Sequence, residues 1–271
     1  MSRIVQIAPV GFEYDRIIEG VIYHPSNIIY LLKSYKLIED ESDPDKKMIE
    51  IAKKFVNNLN AHFLNTKICE PIVKETILIE LEPIIQELCK IIKEELETYN
   101  VDKIWINIST STKLFVSAAM YVGSFLPEKI KLFYIDASNY TVNDLFNPKM
   151  TKEEIKNNFE EKGITYKYDV SSYKSVDVPS YPFEILSDPK KNFLKALKKL
   201  TDENSDKMVK FMNILRELKE DPYDKTVKMR YSHHIKKLRK RNLLVEKSHG
   251  RERKYALTQE GRILGLILSY F

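Results

Sequence analysis

Glycine is scarce in this 271-residue chain, with seven in all. None stands in a phosphate-cradling spacing: no GxGxxG follows a strand-like run and no GxxxxGK[ST] occurs anywhere, which argues against a standard dinucleotide enzyme and a P-loop NTPase. Cysteine is rarer still. Cys69 and Cys89 lie apart without a CxxC, so there is no metal-ligand spacing; reduced, partly buried thiols are expected, and no metal. No run of roughly 18 apolar residues is present, and the start, Met1-Ser2-Arg3-Ile4-Val5-Gln6, lacks the apolar core of a signal peptide. A soluble, cytoplasmic protein is the expectation. Acidic residues are also nearly missing from one stretch: between Lys228 and Lys254 only Glu246 and Glu252 occur.

That stretch holds eleven Lys or Arg, for a net charge of +9 against +5 for the whole chain, so the remainder is net −4. Segregation of this kind points to a polyanionic partner. A polar turn is expected at Tyr231-Ser232, leading into a helix over His233–Leu244 whose Ile235, Leu238 and Leu243 share a buried face and leave the basic residues outside. Val245-Glu246-Lys247, a turn at Ser248-His249-Gly250 and a second edge, Arg251–Leu257, read as a basic hairpin; Thr258-Gln259-Glu260-Gly261-Arg262 then opens a last apolar helix. Helix, basic hairpin, helix resembles the winged helix-turn-helix family, with earlier helices expected near Lys207–Leu218 and Lys225–Tyr231. The resemblance implies double-stranded DNA as partner, contacted through Ser232, His233, Lys236, Lys237, Lys240, Arg241, His249, Arg251, Arg253 and Lys254. A helix fits the major groove while Lys and Arg neutralise phosphates. A merely solvated basic helix, or one that meets RNA, is the plainer alternative.

With 43% hydrophobic residues the chain has enough apolar surface for a core in each of two domains. Arg3–Pro9 reads as a buried strand, Asp15–Tyr23 as a helix, Asn27–Leu32 as a strand, and Asp45 to Phe63 as a helix after an acidic loop at Glu39–Asp45. Lys67–Val73 follows as a strand, Leu78–Tyr99 as a long amphipathic helix, Lys103–Ile108 as a strand, Leu114–Phe125 as an apolar helix and Lys131–Asp136 as a strand. Alternation of this kind means an α/β fold with a mostly parallel sheet and helices on both faces, Rossmann-like, over residues 1–147. Residues 148–202 turn polar and are read as a connector, a possible dimer arm, with a strand pair at Thr165–Val170 and Ser175–Val178; the winged helix-turn-helix domain occupies 203–271.

Ligands of doubly wound sheets settle at the carboxyl ends of strands where the order reverses, so the loops after the first and fourth strands are the places to look. The first, Ala8 to Arg16, offers a glycine for close approach, two aromatic faces, two carboxylates and an arginine, chemistry suited to a nucleobase or ribose. The second, Ser109-Thr110-Ser111-Thr112-Lys113, sets four hydroxyls and an ammonium at a helix start, where free amides and the helix dipole favour phosphate. The plainer reading makes the hydroxyls helix caps, Asp15 a cap, and Phe12 and Tyr14 packing residues.

A strand ending in Pro-Val-Gly-Phe-Glu-Tyr-Asp-Arg, with a later strand, Asn-Ile-Ser-Thr-Ser-Thr-Lys and an apolar helix, resembles CRISPR-associated Rossmann-fold (CARF) domains, and looks nearest to archaeal CARF proteins with a carboxyl-terminal winged helix. The resemblance implies a homodimeric transcription regulator in antiviral defence that binds cyclic tetra- or hexa-adenylate and needs no cofactor. Carried over, it nominates Gly11, Phe12, Glu13, Arg16, Ser109, Thr110, Ser111, Thr112 and Lys113 for the ligand. Many members of that family have glycine where Ser111 stands, so the resemblance implies a narrower phosphate pocket here. The family also admits metal-independent ring nucleases, for which Lys113 and Ser109 are the candidates, and Rossmann-like domains that only dimerise. The HEPN ribonuclease signature, Arg followed by His after four to six residues, occurs at none of the five histidines.

Overall fold

The computed structural model describes residues 2–34, 45–137, 140–165, 173–179, 186–203, 208–249 and 252–271. The acidic loop, most of the Thr165–Val170 strand and Arg251 therefore lie outside the described residues. The chain divides into two compact units, Met1–Phe183 and Glu184–Phe271.

The first unit is a six-stranded sheet in the order β3-β2-β1-β4-β5-β6. Its strands are β1 (Arg3–Val10), β2 (Ile28–Ser34), β3 (Glu70–Thr76), β4 (Val101–Asn107), β5 (Ile130–Ala137) and β6 (Tyr173–Val178). The first five run parallel and β6 closes the edge antiparallel to β5. Buried strands with apolar side chains on both faces need helices on both sides. Helices α1 (Asp15–Tyr23) and α2 (Asp45–Thr66) cover one face, where Ile17, Val21, Phe55 and Leu59 pack on Ala8, Val10, Ile29 and Leu31. On the opposite face, α3 (Leu81–Thr98) and α4 (Lys113–Phe125) pack together. There the Tyr30 hydroxyl donates to buried Glu95 of α3 (2.6 Å), which also pairs with Arg3 (2.7 Å). Gly123 lets α4 close onto the sheet, because a Cβ there would meet Leu132 at 2.4 Å. This is the Rossmann-like α/β fold the alternation predicts.

Two elements beyond residue 147 complete this unit. Helix α5 (Lys152–Lys162) opens with a capping box, Thr151 Oγ1 accepting from Glu154 N (3.2 Å) and Glu154 Oε2 from Thr151 N (2.7 Å). The expected strand at Ser175–Val178 exists as β6, but its partner is β5; Thr165 instead makes an isolated bridge with Tyr140. The stretch read as a connector is thus divided, α5 and β6 belonging to the first unit and α6 (Asp188–Glu203) to the second.

In the second unit α6 buries Phe193, Leu194 and Leu197. It is followed by β7 (Val209–Lys210), α7 (Phe211–Glu217), α8 (Lys225–Lys240), β8 (Leu244–His249), β9 (Glu252–Leu257) and α9 (Gln259–Tyr270). The strands form an antiparallel sheet in the order β7-β9-β8. Tyr255 of β9 is 1% exposed and meets Phe193 and Phe211 edge-on. Among the described residues no helix is long and apolar enough to cross a membrane, and no group of three or more His, Cys, Asp or Glu is placed to hold a metal. Cys69 and Cys89 are buried free thiols, both pushed up to about 12 by burial.

Candidate functional site

The loops after β1 and β4 meet at the point where strand order reverses. A Cβ on Gly11 would stand 2.8 Å from the Thr110 carbonyl oxygen, so only glycine allows the first loop to lie this close to the second. The Thr110 hydroxyl donates to the Pro9 carbonyl, a second tie between the loops. Asn107, fully buried at the end of β4, shapes the second loop. Its Oδ1 accepts from Ser109 N (3.0 Å) and Ser109 Oγ (2.5 Å), and its Nδ2 donates to the Arg16 carbonyl (3.2 Å). Ser109 Oγ in turn accepts from Ile135 N of β5 (2.6 Å).

Arg16 is the centre of the arrangement. Only 2% exposed, it donates through Nη1 to Glu13 Oε2 (2.7 Å) and the Ser109 carbonyl (3.0 Å). Its Nη2 donates to the hydroxyls of Tyr134 (3.0 Å) and Tyr140 (2.7 Å). One guanidinium thus binds together both loops, β5 and the 3-10 turn over Thr141–Phe146 that Tyr140 precedes. Burial pushes the Glu13 carboxyl up and outweighs the opposing pull of Arg16.

The nominated residues therefore fall into two groups. Arg16, Ser109 and Thr110 are buried, and the two Nη atoms of Arg16 and the two hydroxyls are bonded within the fold. Phe12 packs on Phe159 and its carbonyl accepts from Ile164 N (2.7 Å); Tyr14 packs on Phe55. For Phe12 and Tyr14, packing is what the geometry displays. Ser111, Thr112 and Lys113 form the outer part of the second loop. Ser111 Oγ donates to the Ile108 carbonyl (3.0 Å), and Thr112 caps α4 by accepting from Phe115 N (3.2 Å). Lys113 is exposed at the start of α4, and its ammonium has no partner among the described residues. Such a helix start, with orphan amides, a positive dipole end and a free ammonium, suits an anion.

Three contributors went unread in the sequence. Asn107 had a local signal, an amide closing a strand just before a run of hydroxyls. Tyr134 and Tyr140 had none, because they reach Arg16 across 118 and 124 positions.

In the second unit the expected turn at Tyr231-Ser232 is absent. Lys225 to Lys240 is one continuous helix, capped by Asp224, whose carboxylate accepts from Thr226 N (2.7 Å). Tyr231, Ile235 and Leu238 lie on one buried stripe of it, which carries the helix through Ser232, the histidine pair and two lysines. His233, Lys236, Lys237, Lys240 and Arg253 are exposed, while Ser232, Arg241 and Lys254 are half-buried. His249 ends β8, opposite Glu252. Glu246 of β8 gathers Arg239 of α8 (2.5 Å) and Arg253 of β9 (3.7 Å), fixing the helix against the hairpin. Thr258 caps α9 through Gly261 N (3.0 Å), and a Cβ on Gly261 would strike the Leu243 carbonyl at 1.8 Å. The Thr-x-x-Gly pattern is thus a cap followed by a close approach.

Residues 4–140 match the family described as "HFX_2341_N:-like, N-terminal". No curated protein matches the chain. Among solved structures, Enterococcus italicus Csm6 bound to cyclic hexa-2'-fluoro-hexa-dAMP aligns at 13% identity over 90% of this chain and 57% of that one, with a TM-score of 0.39. Can2 from Sulfobacillus thermosulfidooxidans in complex with cyclic tetra-adenylate aligns at 19% identity over 49% of this chain and 32% of that one, with a TM-score of 0.32. The chain thus spans less than two thirds of either protein, 57% of the first and 32% of the second.

Proposed function

The chain belongs to the HFX_2341_N:-like family through its Rossmann-like half, and from that premise we propose that it is a nucleotide-responsive DNA-binding regulator, acting as a homodimer, whose first unit senses cyclic oligoadenylate. The observation that carries this reading is the junction of the β1 and β4 loops at the switch point, where the Ser111 and Thr112 hydroxyls are bonded within the fold and the amides and Lys113 ammonium at the start of α4 suit a phosphodiester. Arg16, Asn107, Ser109 and Thr110 act behind that surface by holding the loops in register, so binding needs little reorganisation.

The second unit supports the DNA part. Helix, short strand, two helices, then a two-stranded hairpin is the order of a winged helix-turn-helix, with α8 as the recognition helix and β8-β9 as the wing. Helix α8 carries seven Lys or Arg and no acid. A ring ligand regulates such a dimer only through different affinities for its two arrangements. Ring cleavage is the weaker reading, because Ser109, one of its two candidate groups, is 7% exposed and bonded on both sides of its hydroxyl.

The test is equilibrium binding of cyclic tetra- and hexa-adenylate to the full chain, with chromatography of the recovered ligand. Tight binding of an intact ring, lost in Lys113→Ala, supports the sensor. Linear products would make the protein a ring nuclease, and absence of binding would reduce the first unit to a scaffold.

A further inference from the structure

Resting on the DNA reading above, we infer that α8 reads sequence through Thr226, Met229 and His233, with Met229 seated against thymine methyl groups, while Lys236 and Lys240 meet phosphates. The argument starts from the continuity of the helix. Because α8 begins at Lys225 and not at His233, its first two turns come into play, and in helix-turn-helix proteins it is the N-terminal part of the recognition helix that contacts base edges.

Helical geometry then selects the residues. Tyr231, Ile235 and Leu238 define the buried stripe. At 3.6 residues per turn, the line diametrically opposite passes through Thr226, Met229, His233, Lys236 and Lys240. All five are exposed. The neighbours flanking this line at its start are already committed: Arg230 donates to Glu220 (2.5 Å) and Lys228 stands over the Tyr223 ring (5.8 Å).

Met229 is the anomaly on this line. It is 75% exposed, on a line whose other members are polar or cationic, where a solvated helix needs a polar group. An unbranched thioether adapts its shape to an apolar partner. The apolar group a base pair offers in the major groove is the thymine methyl. Charge complementarity selects the polyanion, and the methionine selects a feature of it that RNA, with uracil, lacks.

The test uses the full chain and a pool of duplexes with a randomised centre. The duplex enriched by selection is compared with a copy in which every thymine is replaced by uracil, which removes only the methyl groups. The wild type is expected to bind the uracil copy about fourfold more weakly per methyl contacted. In Met229→Ala that difference disappears with melting temperature unchanged, because the side chain is 75% exposed. In Lys240→Ala both duplexes weaken alike and the ratio stays. Equal wild-type binding of the two duplexes, or a ratio that persists in Met229→Ala, overturns the inference while leaving DNA binding intact. Failure to bind any duplex at low salt, or preference for single-stranded RNA, overturns the DNA reading itself.

Discussion

Replacing Arg16 with leucine should destabilise the first unit by an amount the structure sets. Arg16 is 2% exposed and its guanidinium serves four acceptors, one of them a carboxylate whose side chain is 13% exposed. Removing one partner of a buried ion pair costs about 3–5 kcal/mol, because the remaining charge is stranded. Partial exposure of Glu13 places the loss near the lower end, about 3 kcal/mol, or roughly 6–12 °C in melting temperature for a unit of this size. Trp105, the single tryptophan, sits on β4, so urea unfolding followed by its fluorescence reports this unit alone. The double variant Glu13→Gln with Arg16→Leu should recover about half the loss by removing the stranded charge. The pH dependence has a definite sign. Burial already raises the Glu13 carboxyl above its ordinary 4.5, and without Arg16 nothing opposes that rise. The penalty of Arg16→Leu therefore shrinks at acid pH, where Glu13 is protonated, and grows as pH rises through its folded value. A loss below about 0.5 kcal/mol, or a double variant as unstable as the sum of the singles, would refute the buried-hub account.

Gly163, with φ +82°, sits where a Cβ would lie 1.9 Å from the Phe12 carbonyl oxygen, so Gly163→Ala should cost about 3 kcal/mol or more by chemical denaturation. His24 is held between Trp105 and Phe133, and burial keeps its imidazole below the ordinary 6.5, with Asp177 opposing and Lys103 reinforcing. Its contribution is present above 6.5 and lost as pH falls through the depressed folded value, so thermal melts of His24→Phe should show a flatter acid limb than the wild type. Arg239, about half exposed, pairs with Glu246; Arg239→Ala should change stability by less than about 1 kcal/mol. Lys236→Ala should weaken binding to all duplexes and lower the slope of log K against log salt by about 0.9, measured by fluorescence anisotropy.

The sheet was readable because β-branched runs and amphipathic helices alternate from Arg3 to Ala137, and that alternation by itself dictates parallel strands with crossovers. Strand β6 was not, since its pairing with β5 depends on tertiary register and not on local pattern. Helix α6 carried a signal that polarity obscured: Phe193, Leu194 and Leu197 recur at helical spacing among lysines. The false break at Ser232 came from treating polar residues as a turn, although Tyr231 and Ile235 continue the buried stripe across it. At the site, the contact between Gly11 and Thr110 was legible as two unusual loops at a switch point. Whether a polar side chain there faces solvent or is consumed by the fold was not, because Arg16 and Ser109 each take a partner from β5 or beyond.

The central claim is most directly tested by a thermal-shift titration of the full chain with cyclic tetra- and hexa-adenylate beside their linear counterparts. A ligand that binds the native state alone raises the melting temperature by mass action, by about 2.7 kcal/mol of added stability at a hundredfold excess over Kd. The account predicts a rise specific to one ring and abolished by Lys113→Ala, which itself folds normally because its ammonium holds nothing together among the described residues. A melting temperature that no ring moves, at concentrations where the wild type still binds duplex DNA, would contradict it.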